Sequence, residues 1–176
     1  MSHSSLPARQ GLYDPQFEHD ACGVGFVCNI DGRPSHGIIQ RGLQVLVNLT
    51  HRGATGADSE TGDGAGILIQ VPHAFLEREC AGLGLRLPEP GEYGVGAVFL
   101  PEDATNRARC ERAIEQVVGE ERQHFLGWRD VPIHPEHIGE TARNRLPRIR
   151  QFFVLRGSGI DGPTFERTLF VIRKRV

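Results

Sequence analysis

The second half of the chain alternates between two incompatible hydrophobic periods, and this alternation limits the fold more than any other feature. "YGVGAVFL" is a continuous apolar, β-favouring run. "NRARCERAIEQVVG" then places Cys110, Ile114 and Val117 on one helical face. "RQFFVLR" reads as a second strand, and "PTFERTLFVIRKRV" as a helix opened by Pro163, with Phe165, Leu169, Ile172 and Val176 at spacings of four, three and four. A chain that switches repeatedly between period 2 and period 3.6 has to pack helices against a sheet, which is compatible with an α+β class without singling it out.

The first half repeats the pattern after an irregular start. In residues 1–21, Pro7, Gly11 and Pro15 interrupt any helix or strand, and the segment reads as a leader. "GVGFVCNI" is strand-like and "DGRPSHG" supplies a turn. "HGIIQRGLQVLVNLTHRG" is an amphipathic helix with Ile39, Leu43, Leu46 and Thr50 on one face and Gly53 as its stop. A loop rich in Gly, Asp, Ser and Thr, "GATGADSETGDGAG", then feeds the apolar run "ILIQV", read as a buried strand closed by Pro72. A short helix follows near "HAFLERECAGL". No internal repeat is present, and the final helix pattern stops without a glycine or proline to end it.

Charge and composition exclude several classes. Twenty Lys and Arg against 22 Asp and Glu leave a net charge of -2, which provides no basic field for nucleic acid or an anionic membrane surface. No apolar run approaches the ~18 residues of a membrane span, and the start lacks the apolar core of a signal peptide, so the expected compartment is the cytoplasm. The cysteines Cys22, Cys28, Cys80 and Cys110 show no metal-ligand spacing. Cys28, Cys80 and Cys110 read as small buried hydrophobes. Of the histidines, none of His36, His51, His73, His124, His134 and His137 forms a ligand pair by spacing. Pro135 breaks any continuous helical face between His134 and His137, and no metal is expected.

Cys22 differs from the other cysteines. In "EHDACGVGF" it is flanked by glycine and an acidic run, which suits chemistry better than packing. A thiol with a pKa of about 8.5 needs a base or a positive charge to react at neutral pH. His19 precedes it without a helical signal that would aim the ring at the sulfur. Cleavage between Ala21 and Cys22 would supply the base directly, as an α-amine of pKa about 7.7 to 8 on the nucleophile itself.

"CGVGFVCNI", "NLTHRGATGADSETGDGAGILIQVPH" and "GWRDVP" together resemble the class II glutamine amidotransferase (glutaminase) domain at the N-terminus of the glutamate synthase large subunit. The likeness covers nearly the whole chain. It implies an N-terminal-nucleophile hydrolase fold, a four-layer sandwich of two antiparallel sheets between helical layers, here incomplete at its C-terminus. It also implies that residues 1–21 are a propeptide and that residues 22–176 are the N-terminal part of the domain. Cys22 is then the catalytic residue, attacking L-glutamine and releasing glutamate and ammonia through a thioester. In the full enzyme that ammonia aminates 2-oxoglutarate.

By the same resemblance Arg52, in "THRGA", supports the loop carrying the nucleophile; the plainer reading is a helix-end arginine beside terminal carbonyls. Gly62, Gly64 and Gly66 lack the Gly-Lys-Ser/Thr of a phosphate loop and read as close packing beside the Cys22 strand, and Asp63 has no catalytic role. This segment binds no cofactor on this reading, whereas the full enzyme uses FMN and an iron-sulfur cluster. The partners implied are L-glutamine, the remaining domains of the large subunit and the small subunit. None of Asn29, Asn48, Asn106 and Asn144 is followed by the glycine of the family's oxyanion-hole pair. The isolated chain is therefore expected to be inactive. A non-catalytic remnant or interaction module is the alternative.

Overall fold

The computed structural model describes residues 9–11, 23–53, 60–62 and 64–176. Apart from 9–11, the expected leader lies outside the described residues. The chain divides into two units, Met1–Leu68 and Ile69–Val176.

In the first unit, residues 23–29 run extended and reach a turn in which Gly32 donates its N–H to Asn29 O at 3.0 Å with φ +66°. Only glycine adopts that left-handed backbone without cost. Helix α1 (His36–Asn48) follows, then a 3-10 turn over Thr50–Arg52, which Gly53 closes by donating to Thr50 O. The expected helix thus ends earlier than its pattern suggested, and Thr50 caps its end by donating its hydroxyl to Val47 O at 2.6 Å. The half-buried stripe of α1 runs through Ile38, Ile39, Gly42, Val45 and Leu46, while Leu43, placed on that stripe by spacing, is 47% exposed.

The second unit carries a real core. Its elements are α2 (His73–Ala81), β1 (Tyr93–Leu100), α3 (Ala104–Glu120), β2 (His124–Asp130), α4 (Glu140–Arg143), β3 (Arg148–Leu155) and α5 (Gly162–Arg175). The strands form an antiparallel sheet in the order β1-β3-β2, in register from Tyr93 opposite Leu155 to Leu100 opposite Arg148 on one side. Successive residues of β3 point to opposite faces, and both faces are covered. Phe152 and Val154 pack with Ile114 and Val118 of α3 and with Phe165 and Ile172 of α5. Phe153 packs with Leu76 and Cys80 of α2, with Leu87 and with Tyr93. A strand buried on both faces reads as an unbroken apolar run, which is why "FFVL" stood out.

Aspartates start the two long helices of this unit. Asp103 accepts from Asn106 N at 2.8 Å, and Asp161 from Thr164 N at 2.9 Å. At their far ends, Arg175 of α5 donates to Glu120 and Glu121 at the end of α3.

Two strand expectations are corrected. Neither "GVGFVCNI" nor "ILIQV" forms a strand: both lack a ladder partner among the described residues, and Val24, Phe26 and Leu68 are almost wholly exposed. Conversely, "HFLGWRD" forms β2 although its apolar signal is broken by Gly127, Arg129 and Asp130. The described residues form one antiparallel sheet with helices on both faces.

Candidate active site

Cys22, the loop 54–59 and Asp63 lie outside the described residues, as does the side chain of Arg52. What surrounds them is nevertheless informative. A Cβ at Gly23 would stand 2.9 Å from Leu49 Cδ2, and one at Gly25 would stand 2.6 Å from Val45 Cγ1. Both are closer than a side chain tolerates, so glycine is what lets the backbone after Cys22 lie directly on α1.

The match is geometric. Two residues of extended chain advance about 6.6 Å. Four residues of helix advance about 6.0 Å. Gly23 and Gly25 therefore meet Leu49 and Val45 in step, with the extended segment running antiparallel to the helix. Val27, next on the same face, is half-buried, while Val24 and Phe26 on the other face are 93% and 92% exposed. The residue beside the expected nucleophile thus rests on Leu49, immediately before the turn that contains the Arg52 backbone. The Gly-x-Gly spacing was the signal: glycines two apart in an extended chain share one face. The close packing expected of Gly64 and Gly66 is corrected, since a Cβ on either would meet nothing within 4 Å.

The other cysteines separate clearly. Cys80 is fully buried, and burial pushes its thiol pKa up while the nearby Arg129 charge pulls against it, so it is a poor nucleophile. Cys110 is half-buried. Cys28 is exposed, against the expectation of a buried hydrophobe, because the segment that carries it is not covered on its outward face.

"GWRDVP" is scaffold. A Cβ at Gly127 would come within 2.6 Å of Leu85 Cδ2, and the ladder shifts register there between Phe125 and Gly127. Trp128 stacks on the α3 side, with Nε1 donating to Glu115 at 2.7 Å and the Arg150 guanidinium 4.9 Å over its ring. Arg129, buried on the α2 side, donates to Glu79 at 2.9 Å and to Gln151 at 3.0 Å and lies over the Phe75 ring. Asp130 takes a 2.7 Å hydrogen bond from Arg148; burial raises its carboxyl pKa, and Arg148 with the Arg150 charge more than reverses that, leaving it below the usual range. Arg150 Nε lies 2.8 Å from Asp130 Oδ1, an ion pair by distance but outside hydrogen-bond geometry.

Pro135 does not separate His134 and His137: a 3-10 turn over Pro135–His137 brings their rings to 6.1 Å, with Glu136 between them.

A family model for glutamine amidotransferases class-II matches residues 22–176, so that its first matched residue is Cys22. The chain belongs to this family. Among its relatives, this amidotransferase is 44% identical to the glutamate synthase [NADPH] large chain of Bacillus subtilis over 176 residues, 99% of this chain and 11% of the relative. It is 42% identical over 170 residues to the glutamate synthase [NADH] of Saccharomyces cerevisiae, covering 94% of this chain and 8% of that one. Against the ferredoxin-dependent glutamate synthase 2 of Synechocystis sp. it is 37% identical over 156 residues, 89% of this chain and 10% of the relative. The amidotransferase therefore spans about a tenth of the length of these relatives. No helix among the described residues is long and apolar enough to cross a membrane.

Proposed function

We propose that this amidotransferase segment carries the nucleophile of a glutaminase domain in a glutamate synthase large subunit. The observation that carries the reading is the family match that begins at Cys22, the cysteine singled out by its own setting. Removal of residues 1–21 leaves the α-amine of Cys22 as general base. The thiolate attacks the side-chain carboxamide carbon of L-glutamine, the carbon–nitrogen bond breaks, and ammonia leaves with the proton. Water then hydrolyses the thioester, releasing glutamate and restoring the thiol. Gly23 and Gly25 seat the nucleophile's backbone on α1, and Arg52, on the next turn, holds the loop around it.

In the larger protein the ammonia aminates 2-oxoglutarate. FMN, the iron-sulfur cluster and the small subunit belong to that half of the reaction. The described Cys28, Cys80 and Cys110 are not gathered into a ligand cluster, and no step here runs through these groups. The outward apolar face of residues 23–30 supports a place in the second sheet of the four-layer sandwich, beside strands supplied by the larger protein. The same exposed face, with the missing Asn-Gly, supports an inactive isolated chain.

The test is Cys22→Ser in the larger protein. Glutamine-dependent glutamate formation should vanish while activity with free ammonia persists, and intact mass should place Cys22 at the mature N-terminus. Retained glutamine-dependent activity in Cys22→Ser would sink the proposal.

A further inference from the structure

The loop between β2 and α4 gathers three ligating side chains that glutamine hydrolysis leaves unused. His134 Nδ1 lies 2.9 Å from Glu136 Oε1, and His137 Nε2 lies 3.8 Å from the same oxygen. One ligand atom from each residue falls within 4.8 Å of the other two. A tetrahedral ion with bonds of about 2.1 Å holds its ligand atoms roughly 3.4 Å apart, and the two spacings straddle that value.

The loop is braced from behind. His137 donates its N–H to His134 O at 3.2 Å across the turn. Arg143 of α4 reaches back, with Nε donating to Pro135 O at 3.1 Å and NH2 to Ile138 O at 2.9 Å. Pro135 adds a fixed φ at the start of the turn. The backbone that presents the three side chains is therefore held in place without an ion, which lowers the ordering cost of binding one.

Exposure and charge fit the same use. All three side chains are open to solvent, so a hydrated ion can reach them and keep water at its remaining positions. The Arg143 that braces the loop is also charged. That same Arg143 charge repels a cation and is the main opposing element.

We propose that His134, Glu136 and His137 form a surface site for a divalent first-row transition ion. Two imidazoles and one carboxylate suit Zn²⁺, Co²⁺, Ni²⁺ or Cu²⁺, whereas Mg²⁺ and Ca²⁺ call for oxygen ligands throughout. Imidazole and carboxylate ligate in their deprotonated forms, so binding weakens in acid.

Calorimetric titration of the full chain with Ni²⁺, on protein without a polyhistidine tag, tests the site. Wild type should bind an equivalent of Ni²⁺ that His134→Ala/His137→Ala lacks. Glu136→Gln should weaken binding by more than about tenfold, and Mg²⁺ should give no matching heat. The substituted side chains are exposed, and circular dichroism of the variants should match wild type. A double variant whose isotherm matches wild type assigns the binding to other groups, the exposed Cys28 among them, and overturns the proposal. So does a wild type that binds no Ni²⁺.

Discussion

Residues 23–53 and residues 93–155 both lay an extended apolar segment against a helix, yet only the second pair excludes water. In the first, α1 buries no residue, and the extended segment presents Val24 and Phe26 outward. In the second, β3 is sealed on both faces, and Phe153 and Val118 are inaccessible. The difference is in the backbone more than in hydrophobicity. An extended segment with a ladder shares its hydrogen bonds with neighbours, whereas one resting on a helix keeps an unpaired edge. The region next to Cys22 is thus the less self-sufficient one.

The widest gap between the regions should come from two phenylalanines. Phe153→Ala removes a fully buried ring and should cost about 3–5 kcal/mol. Phe26→Ala, at a 92% exposed position, should leave the transition unchanged. Trp128 is the chain's single tryptophan and sits beside Phe152, so its fluorescence during urea unfolding follows the β3 region directly. A Phe26→Ala loss comparable to that of Phe153→Ala would erase the distinction.

A smaller effect probes the glycine contact. Gly25→Ala should strain the seat on α1 by about 1–3 kcal/mol, and Val45→Ala should relieve it, because Val45 Cγ1 is the clashing atom and its next nearest atom stands at 3.8 Å. Hydrogen exchange of α1 amides across the double-mutant cycle measures the coupling. Additive effects would mean that the contact does not hold the segment.

Smallest is the comparison of helix starts. Ser35 makes no side-chain cap to α1, while Asp161 caps α5. Hydrogen bonds from the Thr164 side chain and amide hold the Asp161 carboxyl below its usual range. Its contribution is therefore present above the unfolded pKa of about 3.9 and lost as pH falls through the lower folded value. Asp161→Ala should lower Tm at neutral pH, with the difference closing in acid, and Ser35→Ala should change little at either pH. A constant Asp161→Ala difference across that range would remove the charge from the account.

Legibility in the sequence followed the same divide. The helices α2, α3 and α5 and the strands β1 and β3 were readable because their periodicity reflects burial that the chain itself provides, and α1 was readable from periodicity although it buries no residue. "GVGFVCNI" and "ILIQV" have equally β-favouring residues, but such a preference records a fit to a pleated surface and supplies no partner. β2 failed in the opposite sense. Its Arg129 is charged and buried, made tolerable by Glu79 and Gln151, residues far away in sequence that no local window contains. The glycine seat on α1 was not read, although the Gly-x-Gly spacing after Cys22 carried the signal; close packing was assigned to Gly62, Gly64 and Gly66. The gathering of His134 with His137 was not legible, because a proline that forbids a long helix still opens a single tight turn.

The strand order β1-β3-β2 has a consequence for how the chain folds as it is made. β1 and β2 both pair with β3 and not with each other, and Tyr93 waits for Leu155. During synthesis each emerges with both edges unpaired, and the ladders close only when the last strand arrives, at the entropic cost of closing long loops. The sheet therefore assembles late, with the helices α1 and α3 the long local elements among the described residues able to form beforehand. Until then the segments that will become β1 and β2 are exposed to pairing with other chains.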